Sequence, residues 1–121
     1  MSTAAAPDAS ARPEDQEGDL VFKALAAPLR RALLDALRDA PQTTGALCAR
    51  FPDLDRCTVM LHLRVLEAAD LVIVERRGRA RWNHLNALPI KRIHDRWIGP
   101  YAAHAAAKLD QLRSALEAEE R

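Results

Sequence analysis

With 121 residues, 18 Lys/Arg against 17 Asp/Glu and a net charge of +1, the chain has the size of one small domain and is neither a polycation nor an acidic tail. Two cysteines and no recognisable secretory leader point to reduced thiols in a cytoplasmic protein rather than a disulfide framework. Charged residues interrupt every long apolar run before it reaches bilayer length, which argues against a membrane partner.

Residues 1–18 are rich in Ala, Pro, Ser, Asp and Glu and lack large apolar side chains beyond Met1, so they are expected to form a disordered tail. Leu20 to Ala26 reads as a short apolar helix. Pro28 suits the first turn of the next, where Leu29, Leu33 and Leu37 share a stripe until Pro41 closes it. Thr43 and Thr44 then offer hydroxyl caps to a helix carrying Leu47 and Phe51, ended by Pro52. Asp55 is a plausible carboxylate cap for a segment running to Ala69, in which Val59, Leu63 and Leu66 recur at helical spacing.

Val72-Ile73-Val74 reads as a β-branched strand, Arg76-Arg77-Gly78-Arg79 as a turn in which Gly78 supplies the unusual backbone angles, and Arg81 to Leu85 as the return strand. Pro89 opens a helix through Trp97, Gly99-Pro100 interrupts it, and Tyr101 to Glu119 forms a long amphipathic helix with Ala105, Leu109, Leu112 and Leu116 as its apolar stripe. The predicted fold is mainly α with a small β-hairpin, a winged helix-turn-helix of order αααα-ββ-α. Its parts are a tail over 1–18, a DNA-binding domain over 19–88 and dimerisation helices over 89–121.

Charge is distributed in support of this reading. Residues 1–55 hold 6 Lys/Arg against 9 Asp/Glu, residues 56–100 hold 9 against 4, and residues 101–121 hold 3 against 4. Positive charge therefore gathers on the second helix of the pair and its wing, as a polyanion partner requires, although arginines also serve simply to solubilise an exposed hairpin. Double-stranded DNA is the expected partner. Arg56, Thr58, Val59, Met60, Leu61, His62 and Arg64 on the reading helix, and Arg76, Arg77, Arg79 and Arg81 on the wing, are the expected contacts. Two alternatives stay open: His62 braces the domain by a buried hydrogen bond, and a one-position rotation turns Met60 and Leu61 towards the core. Trp82 reads as hairpin packing rather than a base-stacking platform.

The first and last helices leave apolar stripes that a small domain need not cover alone. Pairing Leu20, Val21, Phe22, Trp97, Tyr101, Ala105, Leu109, Leu112 and Leu116 across a two-fold axis would bury them in a homodimer, whereas folding the last helix back on its own domain is the competing arrangement. A winged scaffold could also serve as a protein-interaction module, binding through Met60, Leu61 and the C-terminal helix.

Phe22 through Arg31, Thr58 through Leu66, and Gly78-Arg79 with Leu85-Asn86 together resemble the ArsR/SmtB family of winged-helix transcriptional regulators over roughly residues 19–88. The resemblance implies a homodimer held by its first and last helices, binding an imperfect promoter palindrome and usually repressing. Two departures matter. Where that family usually reads Asp-Pro-Thr, Ala27 and Leu29 flank Pro28, removing a cap worth about 1 kcal/mol. Where it usually shows Ser followed by Gln or Arg, this chain has Met60 and Leu61, which can pack on thymine methyls but make no bidentate base contact.

The metal sensors of that family need ligands that are missing here: Cys48 has no neighbouring cysteine, Cys57 lies across the turn, and His94, Asp95 and His104 only echo the other pattern. The chain resembles the non-metal-sensing subgroup, with no cofactor and an effector that the sequence does not name. A metal- or redox-responsive sensor is the lesser alternative. No phosphate loop, zinc-hydrolase histidine pair or nucleophile with its base is present, so no enzyme is expected.

Overall fold

The structure, a computed structural model, describes residues 13–120. Helix α1 spans Pro13–Leu25 and α2 Pro28–Leu37; the short strand β1 (Gln42–Thr43) leads into α3 (Thr44–Arg50) and α4 (Arg56–Ala68). Strands β2 (Val72–Arg77) and β3 (Ala80–Leu85) follow, then α5 (Leu88–Ile93), a π-helical turn (His94–Ile98) and α6 (Gly99–Glu119). The chain divides into two compact units, one up to Pro89 and one from Ile90. Among the described residues, no helix is long and apolar enough to cross a membrane.

The first six residues of helix α1, Pro13 to Gly18, fall within the expected tail. Pro13 in its first turn has the fixed φ a helix start favours, and Asp15 and Glu17 place negative charge near the positive end of the helix dipole. The rest of the expected tail lies outside the described residues. Pro28 likewise opens α2, and Ala27 makes no side-chain cap, as the departure at this turn implies.

The core of the first unit is built from one face of each helix. Val21 and Ala24 of α1, Leu33, Leu34 and Leu37 of α2, Leu47 of α3, and Val59, Leu63 and Leu66 of α4 are all buried, and α1, α2 and α4 pack on one another. The expected stripe of α2 is buried at Leu33 and Leu37 and widens to take in Leu34, while Leu29 is only half-buried. Two side-chain caps set the helix-turn-helix. Thr43 Oγ1 accepts from the Ala46 amide at 3.1 Å, and Asp55 Oδ1 accepts from the Thr58 amide at 2.7 Å.

Helix α4 ends without a glycine. Asp70 takes the left-handed conformation (φ 61°), the Leu71 amide donates to Leu66 O at 2.9 Å and the Asp70 amide to Glu67 O at 3.0 Å. This is a Schellman ending, sealed by Leu66 and Leu71, both fully buried. Asn86 Nδ2 donates to Asp70 O at 2.8 Å, which helps hold an aspartate where glycine is the easier residue.

The expected hairpin is part of a three-stranded antiparallel sheet in the order β1-β3-β2. Strand β1 is held by Asn83, whose fully buried side chain donates to Gln42 O at 3.2 Å and to Thr44 Oγ1 at 3.1 Å. Arg77 pairs with Ala80, leaving Gly78-Arg79 as a two-residue turn. Gly78 has φ 59° and Arg79 stays at negative φ, the pattern of a type II′ turn matched to strand twist.

In the second unit, Gly99-Pro100 opens α6 where an interruption was expected. Pro100 lacks an amide hydrogen and its ring crowds the carbonyl four residues back, so the preceding turn widens: the Gly99 amide donates to His94 O, five residues away. A Cβ on Gly99 would lie 3.3 Å from that carbonyl oxygen, a tight fit that favours glycine here.

Candidate nucleic-acid interface

Helix α4 shows one face to the core and another to solvent. Val59, Leu63 and Leu66 are buried; Cys57, Leu61, Arg64 and Ala68, roughly half a turn round, are exposed. The unrotated placement therefore holds for Leu61, which is 59% exposed at the centre of the outward face. Met60 is half-buried and turns towards the wing. Val59, expected among the DNA contacts, is corrected to a core residue: it shares the inward stripe with Leu63 and Leu66, so its side chain cannot reach a groove.

His62 takes the bracing role that was the alternative to contact. Its Nδ1 accepts from Arg30 Nη1 at 3.1 Å, and the same guanidinium donates from Nε to Ala24 O at 2.7 Å and from Nη2 to Lys23 O at 3.0 Å. Arg30 thus caps the carbonyl end of α1 and ties it to α4. Sequence reasoning missed this role, because the partners lie six or more residues away and share no periodic pattern.

Strand alternation sorts the wing. Ile73, Glu75, Arg77, Trp82 and His84 lie on one face of the hairpin, while Arg76, Arg81 and Asn83 lie on the other. On the first face Glu75 accepts from Arg77 Nη2 at 2.8 Å and pairs with His84 Nε2 at 3.0 Å, and the Arg77 guanidinium sits 5.2 Å from the Trp82 ring centre. Trp82 is half-buried and serves the hairpin, as expected. Hydrogen bonds first from Arg77 and then from His84 hold the Glu75 carboxyl below its ordinary range. On the second face Arg81 Nη2 reaches across to Glu67 Oε2 of α4 at 2.8 Å.

The expected cations therefore fall into two groups. Arg77 and Arg81 are paired with carboxylates, whereas Arg56, Arg64, Arg76 and Arg79 have none within ion-pairing distance among the described residues. Between the start of α4 and the wing turn runs a cleft of about 290 Å³, lined by Thr43, Gly45, Arg56, Met60, Arg79 and Arg81 among others.

Capping at Asp55 couples α4 to pH. The Thr58 backbone amide, then its hydroxyl, hydrogen-bond the carboxylate and lower its pKa below the ordinary value. A lowered folded-state pKa means that the stabilisation is present above the unfolded value of about 3.9 and is lost as pH falls through the folded one. Asp55→Asn keeps a capping oxygen but cannot titrate. Its α4 helicity is expected to depend less on pH below about 4 than that of the parent chain, measured by acid titration of circular dichroism.

In the second unit, Trp97, Tyr101, Ala105, Leu109, Leu112 and Leu116 are exposed, and Ile98, which sequence reasoning missed, is 52% exposed. From Ile98 to Leu116 the spacing of three and four keeps these side chains on one seam. Trp97 stacks on Tyr101, with ring centres 6.5 Å apart. Of the expected interface residues on α1, Leu20 and Phe22 are about half exposed. Val21 is corrected: it is 2% exposed because it lies on the inward face with Ala24, one turn on. Cys48 and Cys57 are free thiols, and no group of three or more metal-ligating side chains lies together among the described residues.

Residues 25–75 match the family model described as a helix-turn-helix domain. Over 66 residues the chain is 32% identical to the transcriptional repressor SdpR of Bacillus subtilis, covering 54% of this chain and 72% of that one. Over 86 residues it is 34% identical to YuzN, an uncharacterised HTH-type transcriptional regulator of the same organism, covering 66% and 94%. Among solved structures, that of an ArsR family transcriptional regulator superposes with a TM-score of 0.67 at 27% identity, covering 74% of this chain and 97% of that one.

Proposed function

Because the chain belongs to the ArsR family of helix-turn-helix transcriptional regulators, which are not enzymes, we propose that it works as a homodimeric repressor reading a palindromic operator through two copies of α4. The observation that carries the reading is the outward face of α4. Leu61 and Arg64 stand there in reach of a groove, flanked at the start of the helix by Arg56 and the half-buried Thr58 and beside the unpaired Arg76 and Arg79 of the wing.

Chemistry divides the labour among these side chains. Arginines supply affinity through phosphates, independent of sequence, while Thr58 and Leu61 meet base edges, the leucine packing on thymine methyls. With no bidentate reader at Met60 or Leu61, groove shape carries much of the specificity. The likeness to a protein named as a repressor supports repression. The apolar seam of α6, with Leu20 and Phe22, supports a second copy of the chain as the structural partner, and residues 19–88 and 89–121 are the DNA-binding and dimerising parts.

Binding to random duplex at two salt concentrations tests this. The parent chain is expected to weaken steeply with salt through counterion release, and Arg79→Ala to bind all sequences more weakly with a salt slope reduced by about 0.9 per protomer. No duplex binding at low salt would favour the interaction module built on the exposed Leu61 instead.

A further inference from the structure

We infer that the cleft between the start of α4 and the wing turn is a seat for one phosphodiester of the DNA backbone, gripped jointly by Arg56, Arg79 and Arg81. This rests on the DNA-binding reading and adds which phosphate contact sets the distance between reading helix and wing. Arg56 is the first residue of α4, Arg79 the second residue of the wing turn, and Arg81 follows in β3; all three line the one cleft.

Charge is the first argument. Three arginines and no carboxylate line the cleft; Arg81 pairs with Glu67 of α4, and Arg56 and Arg79 have no such partner among the described residues. Gathering two uncompensated cations costs self-repulsion that an anion between them removes and a neutral ligand does not. Unused donors are the second argument. Arg81 Nε is shielded from solvent without an acceptor, so this guanidinium is under-satisfied as it stands. Thr43 Oγ1 accepts from Ala46, which leaves its own proton to donate.

Guanidinium geometry is the third. The arginines that line the cleft with Met60 and Ala80 carry planar forks, and such forks match phosphoryl oxygens in pairs. A phosphate held from both sides fixes α4 and the wing on the same stretch of backbone.

The test compares the parent chain, Arg56→Ala, Arg79→Ala and the double variant in salt titrations of duplex binding. If both arginines grip one phosphate, each single variant weakens binding about ten- to a hundredfold. The salt slope of the double variant then falls by about 0.9 per protomer, no more than in either single variant. Independent losses with a slope falling by about 1.8 per protomer would overturn the shared seat while leaving DNA binding intact.

A second measurement adds inorganic sulfate to the DNA-free chain at fixed ionic strength and follows the amide resonances of Gly45, Met60 and Ala80. Saturable shifts that vanish in the double variant are expected. The same shifts in a chain that binds no duplex at any salt would overturn the phosphodiester and assign the cleft to a free oxyanion. Neither shifts nor duplex binding would overturn the seat altogether.

Discussion

Leu109→Asp combined with Leu112→Asp is expected to leave the chain monomeric and to lower its affinity for duplex DNA about a hundredfold or more. These leucines are 65% and 56% exposed at the centre of the α6 seam, too much apolar surface in one line to be left to water at no cost. Two carboxylates there would be buried against the same two on the partner, and unpaired buried charge is strongly unfavourable. A monomer presents one reading helix, so the second half-site no longer binds at the high effective concentration that linkage provides. Sedimentation equilibrium gives the assembly state, duplex titration the affinity, and circular dichroism the folding of the first unit, which contains neither residue. A dimer that persists in the double variant would place the interface elsewhere.

Leu63→Ala is expected to destabilise the first unit by about 2–5 kcal/mol, whereas Leu61→Ala, two residues earlier on the same helix, changes stability by no more than about 0.5 kcal/mol. Leu63 is 1% exposed on the packed face of α4, and truncation opens a cavity among neighbours that relax only in part. Leu61 keeps most of its surface in water, so its removal returns little area to solvent. The readouts divide accordingly. Urea unfolding separates the two variants in midpoint, while preference among duplex sequences should change for Leu61→Ala and persist in Leu63→Ala at temperatures where it is folded.

Local signals were legible along the chain, and long-range pairings were not. Thr43 and Asp55 cap the helices for which their side chains suit them, the Val59, Leu63 and Leu66 stripe is buried, and Gly78 takes the positive φ its place in the turn demanded. Each depends on residues within one or two turns. The two-residue β1 was invisible because its register comes from Asn83, forty-one positions from Gln42. The same holds for the Arg81 to Glu67 pair and for the Arg30 to His62 brace, which draws an expected DNA contact into the protein's own structure. Val21 and Val59 show a different failure: an apolar residue beside a functional face was assigned to it, although one helical step of 100° turns the side chain inwards. At the other end, Gly99-Pro100 reads in the sequence as a break, whereas a widened π turn absorbs the missing hydrogen bond and lets α6 begin there.

Selection of bound fragments from a random duplex pool tests the central claim most directly. Two copies of α4 related by a two-fold axis should enrich an imperfect palindrome whose half-sites are centred about 10 base pairs apart, one helical turn of B-form DNA. Enrichment of a single asymmetric half-site, or of no sequence at all, would contradict the paired reading helix.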